Sequence, residues 1–391
     1  MIQQTPSIIA GIDIGSHMTR VIITEHTGTD TPPRVIGVGR SETVGVSKGT
    51  ITDESETARS LARAIRMAEQ MARVSLERAY VCIDGMSLET HHVTGTIQPT
   101  KKEISQKDIN HLIDQVSLQF HQETKNRTIL HCIPLVYFLD NQELSTEPIG
   151  LSGMNLSARF SIVSCLTQQS DSIISVVSKT GIDIVDLIAS PIAASVATLS
   201  KRARTAGSAI VDIGADMLTL SIFEHDALIH VGTIACGSNL ITNDLALGLQ
   251  ITLEEAELLK LGKKQMDKSK RKILDIMEAR VMDMMEIIQK KLVTWNKKGL
   301  LPGGITLIGG GSQIENMETY AKTFLKLPAH VPNAAKIIPC KKILGNAWLP
   351  VYGVCMLGDQ KPQFRATGMN MKKIFKDTKN IIKDFLGEFL P

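Results

Sequence analysis

Gly11-Ile12-Asp13-Ile14-Gly15-Ser16 sets the fold class of this chain, because Val211-Asp212-Ile213-Gly214 repeats it in the middle of the sequence. The runs Ser7-Ile8-Ile9-Ala10-Gly11 and Ser208-Ala209-Ile210 lead in as strands. Arg20-Val21-Ile22-Ile23 and Leu218-Thr219-Leu220-Ser221-Ile222-Phe223 lead out as strands. Each copy therefore reads as strand, glycine turn, strand, with an aspartate at the same offset before the glycine. A glycine at a hairpin tip lets backbone N–H groups approach phosphate oxygens with no Cβ in the way. The aspartate cannot lie against bare phosphate, since like charges repel. It fits if a hydrated Mg²⁺ lies between, because that ion prefers oxygen ligands and keeps several waters. One Asp-Ile-Gly is no more than a strand before a turn. Two, each opening a domain-sized block, favour a pair of hairpins that hold a nucleoside triphosphate from both sides of a cleft.

Composition sets the bounds. A chain of 391 residues with 43% hydrophobic and 21% charged residues suits two or three ordinary globular domains. A net charge of +3 is too weak to argue for nucleic acid, and 4% aromatics leaves no base-stacking platform. The cysteines at 82, 132, 165, 236, 340 and 355 form no C-x-x-C pair and show no zinc-type spacing. They read as buried free thiols of a reducing compartment. No signal peptide and no bilayer-spanning stretch is read.

Along the chain, residues 1–50 read as strands and turns. Leu61, Ile65, Ala68 and Ala72 recur at helical spacing within a helix over 57–73. Strands are expected at 80–83, 128–139, 159–166 and 182–188. Ser105 is a plausible N-cap for the helix that follows it. Helices are expected at 170–180, stopping at Gly181, and at 191–199, starting near Pro191. The second half repeats the theme: strands near 208–213, 218–223 and 228–235, a helix at 253–261, and a long Met-rich helix at 273–295. The basic run from Lys263 to Lys272 reads as a solvated loop or helix end. Ile305-Thr306-Leu307-Ile308 then ends in Gly309-Gly310-Gly311, with a helix expected over 313–325. A strand feeding a glycine turn and a helix N-terminus suits a phosphate or a nucleoside.

This order of motifs resembles the FtsA family of actin-like bacterial division proteins over nearly the full chain. Gly11-Ile12-Asp13-Ile14-Gly15-Ser16 is similar to its first phosphate motif and Val211-Asp212-Ile213-Gly214 to its second. Ile308-Gly309-Gly310-Gly311-Ser312-Gln313-Ile314 is similar to its adenosine motif. Those three also suit actins, chaperones and sugar kinases. More specific are Ile129-Leu130-His131-Cys132-Ile133-Pro134-Leu135-Val136-Tyr137 and Pro148-Ile149-Gly150-Leu151-Ser152-Gly153-Met154, which resemble the subdomain peculiar to FtsA. Gly237-Ser238-Asn239-Leu240-Ile241-Thr242-Asn243-Asp244-Leu245-Ala246 is similar to the family as well.

The resemblance implies an α/β, actin-like (ribonuclease H-like, duplicated) nucleotide-binding fold with an inserted α+β subdomain and a C-terminal amphipathic helix. Residues 1–83 with 166–200 and 347–358 would form the first actin-like domain. Residues 84–165 would be the inserted subdomain, which in the family mediates self-association, and 201–346 the second domain. It implies ATP and Mg²⁺ as cofactors. Nucleotide contacts fall on Asp13, Gly15, Ser16, His17, Asp212, Gly214, Ala215 and Asp216 in the hairpins. Further contacts fall on Gly237, Asn239, Glu257, Lys260, Gly309, Gly310, Gly311 and Gln313. Asp13 and Asp212 would also hold the metal, and no catalytic residue is assigned. The implied partners are the FtsZ C-terminal peptide, other copies of the chain, other division proteins and an anionic membrane surface, without nucleic acid. The implied place is the cytoplasmic face of the membrane at the division septum.

Three departures qualify this. The second motif usually continues with more glycines, a threonine and an acid, whereas this chain has Ala215-Asp216-Met217-Leu218-Thr219. Ala189-Ser190, before Pro191, lacks the carboxylate or amide that many actin-like ATPases use to orient water. Nucleotide binding with slow or absent hydrolysis is therefore expected. The segment from Lys260 to Ile273 is also short for the family, so the outer subdomain that receives FtsZ is reduced. The helix from Arg280 to Lys298 is left either as a docking surface or as core packing.

The chain closes on a linker at 359–370 and a patterned tail at 371–391. On a helical wheel Ile374, Phe375, Thr378, Ile381, Ile382, Phe385, Leu386 and Phe389 fall within one arc of roughly 140°. Lys372, Lys373, Lys376, Lys379 and Lys383 fall on the other side. That is the pattern of an interfacial helix on an anionic membrane, and it is too short to span. Ile374, Phe375, Ile381, Ile382, Phe385, Leu386 and Phe389 would be its membrane-facing residues. Two other readings stay open. A sugar or acetate kinase of the same fold needs a catalytic base and no membrane helix. A pilus-assembly relative shares the core without the amphipathic tail.

Overall fold

The computed structural model describes residues 7–27, 31–263, 270–343 and 345–359. Two compact units result. One is built from the chain up to Thr90 and from Val163 onward, the other from His91–Ile162.

The first unit opens with β1 (Ser7–Ile14), β2 (Met18–His26) and β3 (Arg34–Glu42). A small hairpin follows, β4 (Val46–Ser47) and β5 (Thr50–Ile51), then α1 (Glu54–Ala72) and β6 (Arg78–Ile83). Helix α1 starts three residues earlier than the apolar spacing alone indicates, because Asp53 caps it and accepts from the Ser55 and Glu56 N–H groups. Its buried face carries Leu61, Ala64, Ile65 and Ala68 and packs on β3. The chain then passes through β7 (Glu89–Ile97), α2 (Gln106–Glu123), β8 (Arg127–Leu139), β9 (Gln142–Leu144) and β10 (Leu156–Leu166). These form a four-stranded sheet in the order β7-β10-β8-β9. Within His91–Ile162, α2 buries Ile109, Leu112, Ile113, Val116 and Phe120 against Phe160, Ile162, Leu156 and Val93. Asp108 closes a capping box with Ser105 at the start of α2.

Back in the first unit come α3 (Thr167–Ser178), β11 (Asp183–Ala189), α4 (Ser190–Thr198) and α5 (Lys201–Ala206). One five-stranded sheet has the order β11-β6-β1-β2-β3: β1 pairs antiparallel with β2 and parallel with β6, and β11 runs parallel to β6. The second half follows with β12 (Ser208–Ile213), β13 (Leu218–Glu224) and β14 (Ala227–Ile234). After them come α6 (Asn239–Leu249), α7 (Leu253–Lys260), α8 (Lys270–Thr294), β15 (Ile305–Ile308), α9 (Met317–Leu325), β16 (Ala329–His330), α10 (Ala334–Ile337) and α11 (Leu349–Asp359). Their sheet has the order β14-β13-β12-β15-β16, again an antiparallel hairpin joined to parallel strands. Alternation of parallel strands with helices, duplicated, is the expected α/β class.

Two local readings change, and one left open is settled. The glycine turn after β15 does not run straight into an α-helix. It enters a single 3-10 turn, Gly311–Gln313, and α9 begins only at Met317, after Asn316 takes a left-handed conformation at φ 62°. Helix α8 turns Met277, Val281, Met284, Met285, Ile288 and Leu292 inward, so these methionines fill core. All six cysteines are unpaired, but Cys340 is only half-buried. The tail 371–391, with Ile374, Phe375, Ile381, Ile382, Phe385, Leu386 and Phe389, lies outside the described residues, as does the linker apart from Asp359. Among the described residues no helix is long and apolar enough to cross a membrane.

Candidate functional site

The two hairpins make the same turn. Gly15 N–H donates to the Met18 carbonyl at 3.2 Å, and Gly214 N–H donates to the Met217 carbonyl at 2.8 Å. The repeat is thus Asp-Ile-Gly-x-x-Met, closer than the sequence reading allowed. In each turn the aspartate faces a residue across the strand pair: Asp13 pairs with Arg20 and Asp212 with Thr219.

Both turns open on one cleft of about 500 Å³, within the range of small-molecule sites. Its lining includes Asp13, Gly15, Ser16, His17, Asp212, Gly214, Ala215, Asp216, Asn239, Glu257, Lys260, Gly309, Gly310, Gly311 and Gln313. Gly237 is the exception among the residues named from sequence. It packs beneath the second turn, where an added Cβ would come within 2.1 Å of the Ala215 carbonyl oxygen. Its neighbours hold that turn: Ser238 N–H donates to Gly214 O at 2.9 Å and Asn239 N–H to Ala215 O at 2.8 Å. Gly237 thus stands behind the second turn, outside the lining of the cleft.

Gly309 stands at φ +83° against Asp212, and a Cβ there would lie 2.2 Å from Asp212 Oδ1. Only glycine lets β15 end this close to the second acid. Gly310, next to it, is exposed and faces open space. Ser312 Oγ donates to Gly309 O at 2.8 Å and accepts from Asn346 Nδ2 at 3.2 Å, which fixes the turn. On the far wall, the buried Lys260 ammonium bonds Glu257 Oε2 at 2.6 Å, Thr242 Oγ1 at 2.9 Å and Ser238 O at 3.3 Å. Burial pushes the Glu257 carboxyl up, but its bonds from Lys260 and Thr242 prevail and hold it below the usual range.

The cleft floor is acidic. Asp212 is pushed up to about 7 by burial, then by the charges of Asp84 and Asp13. Asp84 is pushed up to about 6 by burial, against the hydrogen bonds it accepts from Gly85 N–H and Thr219. Asp13 is raised by burial and pulled back by Arg20, whose guanidinium lies 3.5 Å from Oδ2. Arg20 also stacks over Trp348 at 5.8 Å. Asp84 was not expected from sequence. Ile83-Asp84-Gly85 reads locally as the end of a strand, and only the parallel pairing of β6 with β1 brings it beside Asp13.

These residues fit a nucleotide with Mg²⁺. The donors are carboxylate oxygens, which that ion prefers, and a dication would offset the charge that burial and their neighbours make costly there. Among the described residues no three His, Cys, Asp or Glu side chains converge closely enough to cage a metal. Asp13 and Asp212 are the carboxylates that would hold it.

Comparison with known proteins places the chain. The family model described as "Cell division protein FtsA" matches residues 209–343, and that described as "SHS2 domain inserted in FTSA" matches 85–164, together more than half the chain. Among curated relatives, the cell division protein FtsA of Pseudomonas aeruginosa is 26% identical, covering 94% of this chain and 92% of its own length. That of Bacillus subtilis is 28% identical, over 82% of this chain and 77% of its own. Among solved structures, the PilM-PilN type IV pilus biogenesis complex has a TM-score of 0.68 at 16% identity, covering 90% of this chain and 99% of its own. MreB5 of Spiroplasma citri bound to ADP has a TM-score of 0.51 at 11% identity, covering 88% of this chain and 94% of its own. At such identities the structures establish the fold alone.

Proposed function

The chain belongs to the FtsA family of actin-like cell division proteins, and from that membership we propose that it binds ATP with Mg²⁺, assembles with copies of itself into actin-like filaments, and tethers FtsZ to the inner face of the cytoplasmic membrane at the septum. The observation that carries the nucleotide part is convergence. Residues far apart in sequence, from two hairpins, α7 and the turn after β15, line one cleft. MreB5, which shares the fold, has ADP bound.

In this reading the Gly15 and Gly214 turns receive phosphates on backbone N–H groups, and Asp13 and Asp212 hold Mg²⁺. Bound Mg²⁺ supplies charge neutralisation for the phosphates. Gly310 leaves room for the nucleoside beside the tightly packed Gly309 and Gly311, and Lys260 and Glu257 line the same cleft. Hydrolysis is slow or absent. Where α4 begins, Ala189-Ser190 offers neither carboxylate nor amide to orient water. The Asp84 carboxylate is already engaged by Thr219 and Gly85. Robust steady-state phosphate release by purified protein contradicts this.

Membrane attachment rests on the tail pattern, apolar residues from Ile374 to Phe389 opposite five lysines. FtsZ binding rests on family membership. Flotation with anionic liposomes tests the tether: the full chain, loaded with ATP and Mg²⁺, should float and carry FtsZ with it. A variant ending at 370 should stay in the dense fraction. Equal flotation of the two removes the anchor.

A further inference from the structure

The residues at 215–219, read from sequence as a loss of phosphate-binding features, reach instead toward the first half of the fold. Thr219 Oγ1 donates to Asp84, 3.0 Å from Oδ2 and 3.2 Å from Oδ1. Lys48 N–H donates to Asp216 Oδ2 at 3.3 Å. Met217 seats on the β4–β5 turn, so that a Cβ added at Gly49 would lie 2.5 Å from Met217 Cε and 2.9 Å from the Cα of Gly85. Behind this, Gln169 of α3 donates from Nε2 to Asp84 O at 2.6 Å and to Gly49 O at 3.3 Å, and its Oε1 accepts from Ser87 Oγ. The first hairpin does less of this. Arg20, at the register position of Thr219, turns to its own hairpin's Asp13.

We propose that Asp84 is a positioning residue of the cleft: through Thr219 it clasps the second hairpin to the first half, with Met217 on Gly49 as the other jaw, and this clasp must part for a phosphate ligand to leave. The proposal rests on the nucleotide reading of the cleft. Asp84, Thr219, Met217 and Gly49 all line that cleft, so the clasp spans its floor. A hydroxyl donating to a partly buried carboxylate is a charge-assisted bond, and breaking it leaves the carboxylate under-satisfied. Met217 adds a contact that depends on the missing side chain of Gly49. The chain thus uses positions 216, 217 and 219 to hold the hairpin in place from across the cleft.

The test uses the full chain with a fluorescent ATP analogue and Mg²⁺, chased with unlabelled ATP in a stopped-flow instrument. Asp84→Ala, Thr219→Val and Met217→Ala should each release the analogue about tenfold faster, the scale of one such bond. Asp84→Asn, whose amide oxygen still accepts from Thr219, should release it more slowly than Asp84→Ala does. Hydrogen exchange without nucleotide gives a second readout. Amides of 46–51 should lose protection in the first three variants and keep it in Asp84→Asn. Release rates and protection unchanged in all four overturn the clasp. If no variant and no parent binds the analogue, the nucleotide reading falls, and the exchange data still decide whether the clasp exists.

Discussion

Thr219 stands opposite Asp212 in the second hairpin at the position that Arg20 holds opposite Asp13 in the first. This one exchange makes the two glycine turns electrostatically unequal. Asp13 has a guanidinium 3.5 Å away, whereas Asp212 faces a hydroxyl already committed to Asp84. Burial therefore raises Asp212 to about 7, with only distant help from Arg20. Several measurable consequences stem from that asymmetry and from the cleft around it.

Binding of Mg²⁺ with ATP should depend on pH. Asp212 must be ionised to hold the ion, and at pH 6 it is mostly protonated. Apparent affinity should rise about tenfold from pH 6 to pH 8, following the ionised fraction of a group near 7. Calorimetry in buffers of different ionisation enthalpy should show a proton released on binding near pH 6. A flat affinity across this window counts against the assignment.

Stability should move the opposite way. The folded value of Asp212, about 7, exceeds its ordinary 3.8, so the native state binds the proton more tightly. Stability from this group then falls as pH rises from about 4 to 7 and stays low above. Asp212→Asn should raise the Tm at pH 8 by more than at pH 5, even as it weakens nucleotide binding. Differential scanning fluorimetry at the two pH values checks the sign.

Gly309 and Gly310 should separate folding from binding. Gly309→Ala meets both a φ of +83° and Asp212 Oδ1 at 2.2 Å, and should cost about 1–3 kcal/mol or more. Gly310→Ala meets nothing within 4 Å and should leave the Tm unchanged while narrowing the cleft. A lowered ATP affinity at an unchanged Tm is the expected pair of results for Gly310→Ala.

In the unit His91–Ile162, Asp108 accepts from the Ser105 hydroxyl at 2.6 Å, from the Ser105 N–H at 2.9 Å, and from Thr100. The Ser105 hydroxyl bond, then the backbone bonds, hold its carboxyl well below the usual range. Its contribution is present above the ordinary 3.8 and disappears only as pH falls below it. Asp108→Ala should cost about 1–2 kcal/mol, as for a lost cap, and speed hydrogen exchange at the start of α2.

Local pattern made much of the fold readable. Leu61, Ile65 and Ala68 announced α1, and the two Asp-Ile-Gly turns announced the duplicated hairpins. What stayed hidden depends on long-range pairing or on left-handed backbone. Asp84 reaches the cleft only because β6 lies parallel to β1. Asn316 interrupts what reads as one helix after Gly311 because its φ of 62° is not encoded in the apolar spacing. The packing of Gly237 against Ala215 is equally hidden, because a glycine in sequence does not say which backbone approaches it. Met217, read only as a departure from the family's second motif, packs on Gly49, a neighbour far away in sequence.

The central claim is that the cleft between the two hairpins holds a nucleotide through Asp13 and Asp212. Titration calorimetry of ATP with Mg²⁺ against the full chain, the Asp13→Asn variant and the Asp212→Asn variant tests it most directly. The expected result is saturable one-to-one binding by the parent, lost with EDTA and weakened at least about tenfold in either variant, the scale of one charge-dependent ligand. Binding of equal strength in all three proteins, or none by the parent at millimolar ATP, contradicts it.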